Sequence, residues 1–498
     1  MSSSKRGAAL GAAMCTLLCA NASATQFSVD KTSDDAGGGA CDVPAGDCSL
    51  RSAIQQANAN AGHDDIVLGA TTYHVASPQE AITTDTAITG AGARSTAIDG
   101  DGVANSLLVV NPTTDHVTIS DVTIRGAGGG GASPAVQVNN GQGTILARVA
   151  IVDNALTGLI VNKGNVQLLS SLVARNTGPT VGGISNQSSG QGFMLIEDST
   201  VAQNTGEKTA PVIPLAYAAG VANSGILTIL NSTIAGNRFA PGVVPLGGEN
   251  LTNVVTSSEQ TNQVRMINTI VADATGLGNC GGPIGSGGHN LDSDGTCVFG
   301  VPSDRIGVDP LLGALADNGG PTDTRALLAG SPAIDAGGAC SATDQRGVPR
   351  PAGGGCDIGA FESPFTAPVP VPPTQAPPTQ TPGGATADTT PAKLTVTGVG
   401  RTVKRANFNK GLKVKIGADE PISAELILLA TPRKVTIAKL PVVALASTSL
   451  AKAGGTRTVT LKPSTKIKGK RKVTMQLRVV AFDGAGNRSA KTLSFTVT

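Results

Sequence analysis

Ser171-Leu172-Val173-Ala174-Arg175-Asn176 and Ser199-Thr200-Val201-Ala202-Gln203-Asn204 are one six-residue phrase written twice, and that phrase decides the fold. It returns as Val122-Thr123-Ile124, Val149-Ala150-Ile151-Val152-Asp153-Asn154, Ser232-Thr233-Ile234-Ala235-Gly236-Asn237 and Asn268-Thr269-Ile270-Val271-Ala272-Asp273. Its third position (Ile124, Ile151, Val173, Val201, Ile234, Ile270) recurs every 22 to 36 residues, the interval of a solenoid. A period that stretches without losing its apolar beat means fixed strands joined by turns of variable length.

The runs between turns, such as Val166-Gln167-Leu168-Leu169 and Leu227-Thr228-Ile229-Leu230, are short and alternating. They are rich in Val, Ile, Thr and Ser and bounded by Gly and Asn, which is strand chemistry and not that of helical repeats. A single rung cannot bury its own apolar side chains, so rungs stack and share one interior. Asn154, Asn176, Asn204 and Asn237 follow their strands at one offset. Asn tolerates the left-handed conformation a bend requires, and stacked amides can hydrogen-bond along the axis. A second series, Asn139, Asn162, Asn186 and Asn223, marks another corner.

At 498 residues the chain exceeds one ordinary core, and the charge divides it again. Residues 389–498 carry 21 Lys and Arg against four Asp and Glu, which leaves 16 against 31 in the remainder. Residues 1–24 read as a signal peptide: Lys5 and Arg6, an apolar stretch Ala8–Ala20, and the small-residue site Ala22-Ser23-Ala24. No later segment offers about 20 uninterrupted apolar residues, so a membrane-spanning chain is not expected. Past residue 24 six cysteines remain, and in an exported chain they read as disulfides. Other pairings are formally open; proximity favours Cys41–Cys48, Cys280–Cys297 and Cys340–Cys356.

Residues 25–66 read as an N-terminal cap, in which Ser49 starts a short helix with Leu50, Ala53, Ile54 and Ala57 on one face. Such a helix covers the open end of a strand stack. Rungs follow over 67–297, with long turns at 207–219, 239–249 and 256–263. A turn-rich stretch follows at 298–362, then a Pro/Thr-rich linker at 363–388. Residues 389–498 show strand-like segments at sandwich spacing.

Cys48-Ser49-Leu50-Arg51-Ser52-Ala53 resembles the Cys-Ser-Leu-Arg-Glu-Ala motif of a family of exported bacterial proteins, with Ser52 where Glu is usual. Gly288-His289-Asn290-Leu291, Asp309-Pro310-Leu311-Leu312, Ala316-Asp317-Asn318-Gly319-Gly320-Pro321 and Gly330-Ser331-Pro332-Ala333-Ile334-Asp335 are similar to the choice-of-anchor type Q domain of surface proteins. So are Asp344-Gln345-Arg346-Gly347 and Cys356-Asp357-Ile358-Gly359-Ala360-Phe361-Glu362. The resemblance implies an all-β chain: a right-handed parallel β-helix of the pectin-lyase-like class, at the cell surface or outside the cell. The basic tail resembles a small antiparallel immunoglobulin-like β-sandwich. Neither resemblance supplies an activity.

Pectin-lyase-like folds include lyases, hydrolases and adhesins, so the residues must choose. Asp121, Asp153, Glu197, Asp198 and Asp273 sit on different rungs and offsets, unlike the paired acids of sugar cleavage. His289, with Asp292 and Asp294 nearby, is the candidate acid–base group, against a turn-forming role. Asp99 and Asp101 in Asp99-Gly100-Asp101-Gly102 are the candidate Ca2+ ligands, against ordinary turn chemistry; no other cofactor is expected. Asp344, Arg346 and Asp357 are expected to pair or cap turns near the exit end. Lys466, Lys468, Lys470, Arg471 and Lys472 form a candidate site for an anionic envelope polymer or acidic polysaccharide. Nucleic acid is not expected, because the basic domain has only Phe408, Phe482 and Phe495 to interleave with its charges. The resulting expectation is a binding, adhesive or structural protein, with a polysaccharide lyase or glycoside hydrolase as the alternative.

Overall fold

A computed structural model describes residues 25–34, 41, 47–102, 106–112, 116–128, 133–187, 192–207, 215–254, 264–338, 340–365, 392–420, 422–431, 442–450, 455–461, 472–483 and 488–498. Up to residue 306 the strands stack in parallel into three long sheets of ten, ten and seven strands. The chain visits the sheets in rotation, so each strand pairs with its counterpart one rung away, as in a parallel β-helix. The first sheet begins with Thr25–Val29 and ends with Gly285–Ser286. The second runs from Thr72–His74 to Arg305–Ile306, and the third joins Leu108–Val110 to Cys280–Gly281.

The repeated phrase is the strand of the second sheet together with its two corners. Ile124, Ile151, Val173, Val201 and Ile234 pair rung on rung, and all are fully buried in the shared interior. The last repeat is out of register with the reading from sequence. Ile234 pairs with Val271, and Ile270 pairs with Thr233. Both Ile270 and Val271 are fully buried, so apolar alternation carries no register information there.

The first position of the phrase is Ser for a geometric reason. The Ser171, Ser199 and Ser232 hydroxyls accept from the amides of Val149, Ser171 and Ser199 in turn, and Asn290 Oδ1 accepts from Thr269. The preceding residue takes positive φ at each corner: Asp121, Arg148, Ser170, Asp198, Asn231, Asn268 and His289. At the other corner Asn154 donates to Asn176, Asn176 to Asn204, and Asn204 to Asn237, at 2.8 to 3.0 Å. The ladder then continues through Asn250 and Asn279, which precede the next strands and do not follow a phrase. The second Asn series is two separate ladders. Asn162 donates to Asn139, whereas Asn186, Asn223 and Asn253 stack one position earlier in the strand.

The helix Leu50–Ala59 connects the first two strands of the first sheet, with Leu50, Ala53, Ile54 and Ala57 buried. Ser49 caps it by accepting from the Ser52 amide at 3.1 Å. Arg51, expected on no buried face, is nonetheless buried. It grips Asp34 with two hydrogen bonds of 2.7 Å and reaches the Ser77 and Pro78 carbonyls. That grip ties the cap to the first rung. The pairs Cys41–Cys48, Cys280–Cys297 and Cys340–Cys356 are all disulfide-bonded.

Residues 307–363 do not extend the stack. They double back as a strap over the outer face of the second sheet, with a hairpin of Leu312–Ala316 and Thr324–Leu327. Leu315 packs on Ala150, Val152, Leu172 and Ala174, while Leu327, Ile334, Ile358 and Phe361 pack with Ala235, Ile270, Ala272 and Leu291. Strands covered on both faces lose polar alternation, which is why the phrase is apolar or small at nearly every position.

Among the described residues of 392–498, a three-stranded and a five-stranded sheet share one core around Phe408, Val414, Leu426, Leu477 and Phe495. Their pairing is antiparallel except for Thr402–Val403 against the final strand.

Candidate functional site

The strap brings together acids that the sequence scatters. Arg350, fully buried, donates to Glu362 at 3.1 Å and to the Asp357 and Gly359 carbonyls, and lies 3.8 Å from Asp198. Arg346 donates twice to Asp344 and lies over the Phe361 ring at 3.6 Å. Asp357 accepts from the Asp335 and Ser363 amides, and Asp198 accepts from the Ser341 hydroxyl. Burial pushes Asp198 up to about 7 and Asp357 up to about 6. Asp344, Arg346 and Asp357 therefore pair and cap as expected, but over the middle of the second sheet and not at the exit end. The Gln345 side-chain Oε1, accepting from the Thr200 hydroxyl at 2.6 Å, fixes that place.

This is the one place among the described residues where several acids meet a fully buried arginine, between the strap and the second sheet, and it is sealed. Arg350 and Glu362 side chains are at most 1% exposed. Sugar cleavage needs two acids on either side of a bond with room for substrate. Here the acids are occupied by arginines and backbone amides.

Several other rung carboxylates each hold one partner, whereas Glu197, half-buried at the end of a first-sheet strand, meets no cation among the described residues and is pushed up by burial. Asp121 holds Arg148, Asp153 holds Arg175, and Asp273 holds Arg325 of the strap. Asp99 accepts from Arg125 at 2.7 Å and from the Asp101 amide, while Asp101 meets His74 at 2.9 Å. The two candidate Ca2+ ligands thus hold different side chains, Arg125 and His74. Among the described residues no group of three or more His, Cys, Asp or Glu is placed to hold a metal ion.

His289 occupies the left-handed corner with φ 57°, and its Nδ1 lies 2.9 Å from the Ala336 carbonyl oxygen. Asp292 is fully buried, accepting from Asn279 Nδ2 and from the Asp294 and Cys297 amides. Burial, and then the neighbouring Asp294, push it up to about 6. Asp294 accepts from Thr296 and from the Asn279 amide. The three are neighbours in sequence, but the strap takes the histidine while Asp292 and Asp294 turn to the Asn279 corner. Lys466, Lys468, Lys470 and Arg471 lie outside the described residues; Lys472 is exposed just before the strand Val473–Asp483.

Of the long turns, residues 208–214 and 255–263 also lie outside the described residues. Around them Leu215–Ala216 pairs with Val244–Pro245, and Glu249 accepts from the Thr275 and Gly276 amides. Glu249, like the strap acids, is consumed in holding backbone.

Among the described residues, two surfaces are candidate contact faces. The outer face of the first sheet is a flat column in register: Ala87, Thr118, Ile145, Gln167, Leu195, Thr228 and Arg265. The other is a cleft of about 210 Å³ between the strap and the second sheet, with Val152 and Leu172 on its floor and Arg94, Arg175, Pro321 and Asp323 around it. Sequence reasoning missed this cleft because its two walls are some 150 to 230 residues apart along the chain.

The chain matches no family model and no curated protein. No helix among the described residues is long and apolar enough to cross a membrane. The three disulfides suit an oxidising compartment.

Proposed function

We propose that this is an exported β-helix protein with a binding, adhesive or structural role at the bacterial envelope, and not a polysaccharide lyase or hydrolase. The observation that carries the reading is the sealing of the Asp198–Arg350–Glu362 cluster beneath the strap, while the open sheet face is flat and uncharged over most of its length. A flat face of Thr, Gln and aliphatic residues suits lateral contact with an extended polymer. Its acids, Asp65 and Glu197, stand on strands five places apart, so it offers no pair of acids flanking one bond.

The Cys-Ser-Leu-Arg and choice-of-anchor motifs support an exported, surface-associated chain of the right-handed, pectin-lyase-like class. Two structural facts give them physical sense: Arg51 clamps the cap, and Asp344, Arg346 and Glu362 lock the strap. Residues 1–24 serve as the export signal in this reading. The basic immunoglobulin-like tail, with Lys466, Lys468, Lys470, Arg471 and Lys472, supplies attachment to an anionic polysaccharide or envelope polymer.

The test is incubation of the purified chain with acidic and neutral polysaccharides, with calcium and then with chelator, alongside a sedimentation assay on insoluble envelope polymer. Retention without shortening of any polymer is expected. Chelator-sensitive cleavage of an acidic polymer would overturn the reading in favour of a lyase.

A further inference from the structure

The cleft between strap and second sheet has a chemistry of its own. Its floor is aliphatic, Val152 and Leu172, with Pro321 on the strap side. Every arginine of its polar rim is already paired with acids. Arg94 meets Asp317 at 2.8 Å and Asp323 at 3.0 Å and donates to the Gly320 carbonyl, while Arg175 holds Asp153 with bonds of 2.8 and 2.9 Å. Two guanidinium groups therefore face three carboxylates, and an entering anion would find no unspent positive charge.

These pairs are still partly open to solvent: the Arg94 and Arg175 side chains are 38% exposed and Asp323 is 27% exposed. A hydroxyl-rich ligand can accept from the guanidinium N–H groups left over and donate to the carboxylate lone pairs left over. Its C–H face can lie against Pro321, the apolar lining residue left partly exposed. A cleft of about 210 Å³ falls below the ~300–1,000 Å³ typical of drug-sized pockets, so it has room for one sugar ring and not for a chain. Its two walls come from different parts of the chain, so it exists only when the strap is docked.

We propose that this cleft binds a single neutral sugar unit, such as the end of a glycan, and that it discriminates against uronic acids. The site rests on the binding role proposed above and names a ligand class for it. The neutral preference sets it apart from the basic tail, whose partner is anionic.

The test is ligand-observed NMR on the full chain with glucose, galactose, mannose and N-acetylglucosamine, beside glucuronate and galacturonate. At least one neutral sugar is expected to bind with a dissociation constant on the order of 1 mM, the range open to a ligand of about a dozen heavy atoms. Leu172→Trp, which fills the cleft, and Arg175→Met, at an exposed position where folding is preserved, are each expected to weaken binding at least tenfold. Absence of binding by every sugar, tighter binding of a uronate, or unchanged affinity in Arg175→Met would each overturn the cleft assignment. If the chain still sediments with insoluble polymer in that case, the binding role stands and only the cleft fails. If the chain cleaves polymer, the binding role itself fails.

Discussion

Asn279 donates its side-chain amide to Asp292 at 2.8 Å, and with that bond the ladder of stacked amides ends on a carboxylate. Each Asn below donates to the next Asn oxygen and to a strand carbonyl. The last donor needs an acceptor that requires nothing further along the axis. A carboxylate supplies one, and it also takes the Cys297 amide beside the Cys280–Cys297 disulfide.

An interior member of the ladder should therefore be costly to remove. Asn204→Ala deletes bonds to the Val173 carbonyl and Asn237 and removes the Asn204 oxygen that Asn176 donates to, all in the buried interior. Destabilisation of about 2–4 kcal/mol is expected. Urea unfolding measures it, and a midpoint equal to that of the parent chain would show that the ladder adds no stability.

The buried acids give a pH dependence of definite sign. Asp198 is raised to about 7, and Asp292 and Asp357 to about 6, by burial first in each case. A carboxyl that holds its proton more tightly when folded contributes stability fully below the ordinary carboxylate range. That contribution is lost as pH rises through the folded value. Thermal stability should fall between about pH 4 and 7, and Asp198→Asn should raise it by about 2 kcal/mol at pH 8. Melting curves across that range decide it; a flat profile in the parent chain would remove the basis for the claim.

Arg51→Met tests the cap. Asp34 is 2% exposed at its side chain and would be left as a buried carboxylate with the Ala76 and Ser77 amides but no counter-charge. A loss of about 3–5 kcal/mol is expected, with Arg51→Lys recovering little because the two-pronged geometry is gone. Equal stability of the Lys variant and the parent would show that charge alone suffices.

Phe361→Ala tests the strap. Phe361 packs with Ile270 and Ile358 and carries the Arg346 guanidinium on its face, so about 3–4 kcal/mol should be lost from strap docking. Hydrogen exchange should quicken in residues 307–363 and at the second-sheet strands beneath them. The first sheet should keep its protection. Uniform loss across all three sheets would mean the strap and the β-helix unfold as one unit.

The candidate site was only partly legible. His289, Asp292 and Asp294 drew notice because they stand together in a motif, yet their partners Ala336, Asn279 and Cys297 give them separate duties. Arg51 and Arg350 carried no local sign of burial, because an arginine is buried only where distant acids meet it. Asn250 and Asn279 join the ladder from the far side of the corner, outside the repeated phrase.

By itself the sequence determined the stacked strands and the polar corners, and by proximity favoured the disulfide pairs. Each depends on neighbours one rung or one short loop away, and a repeat places like residues on like residues. Tertiary structure alone decided that residues 307–363 fold back over the second sheet. Thr200 meets Gln345 across 145 positions and Arg94 meets Asp323 across 229, and no period links such partners. The same cover erased the alternation that would have set the register at Ile270. Burial on both faces leaves pairing to be chosen by packing, and packing is a property of the assembled fold.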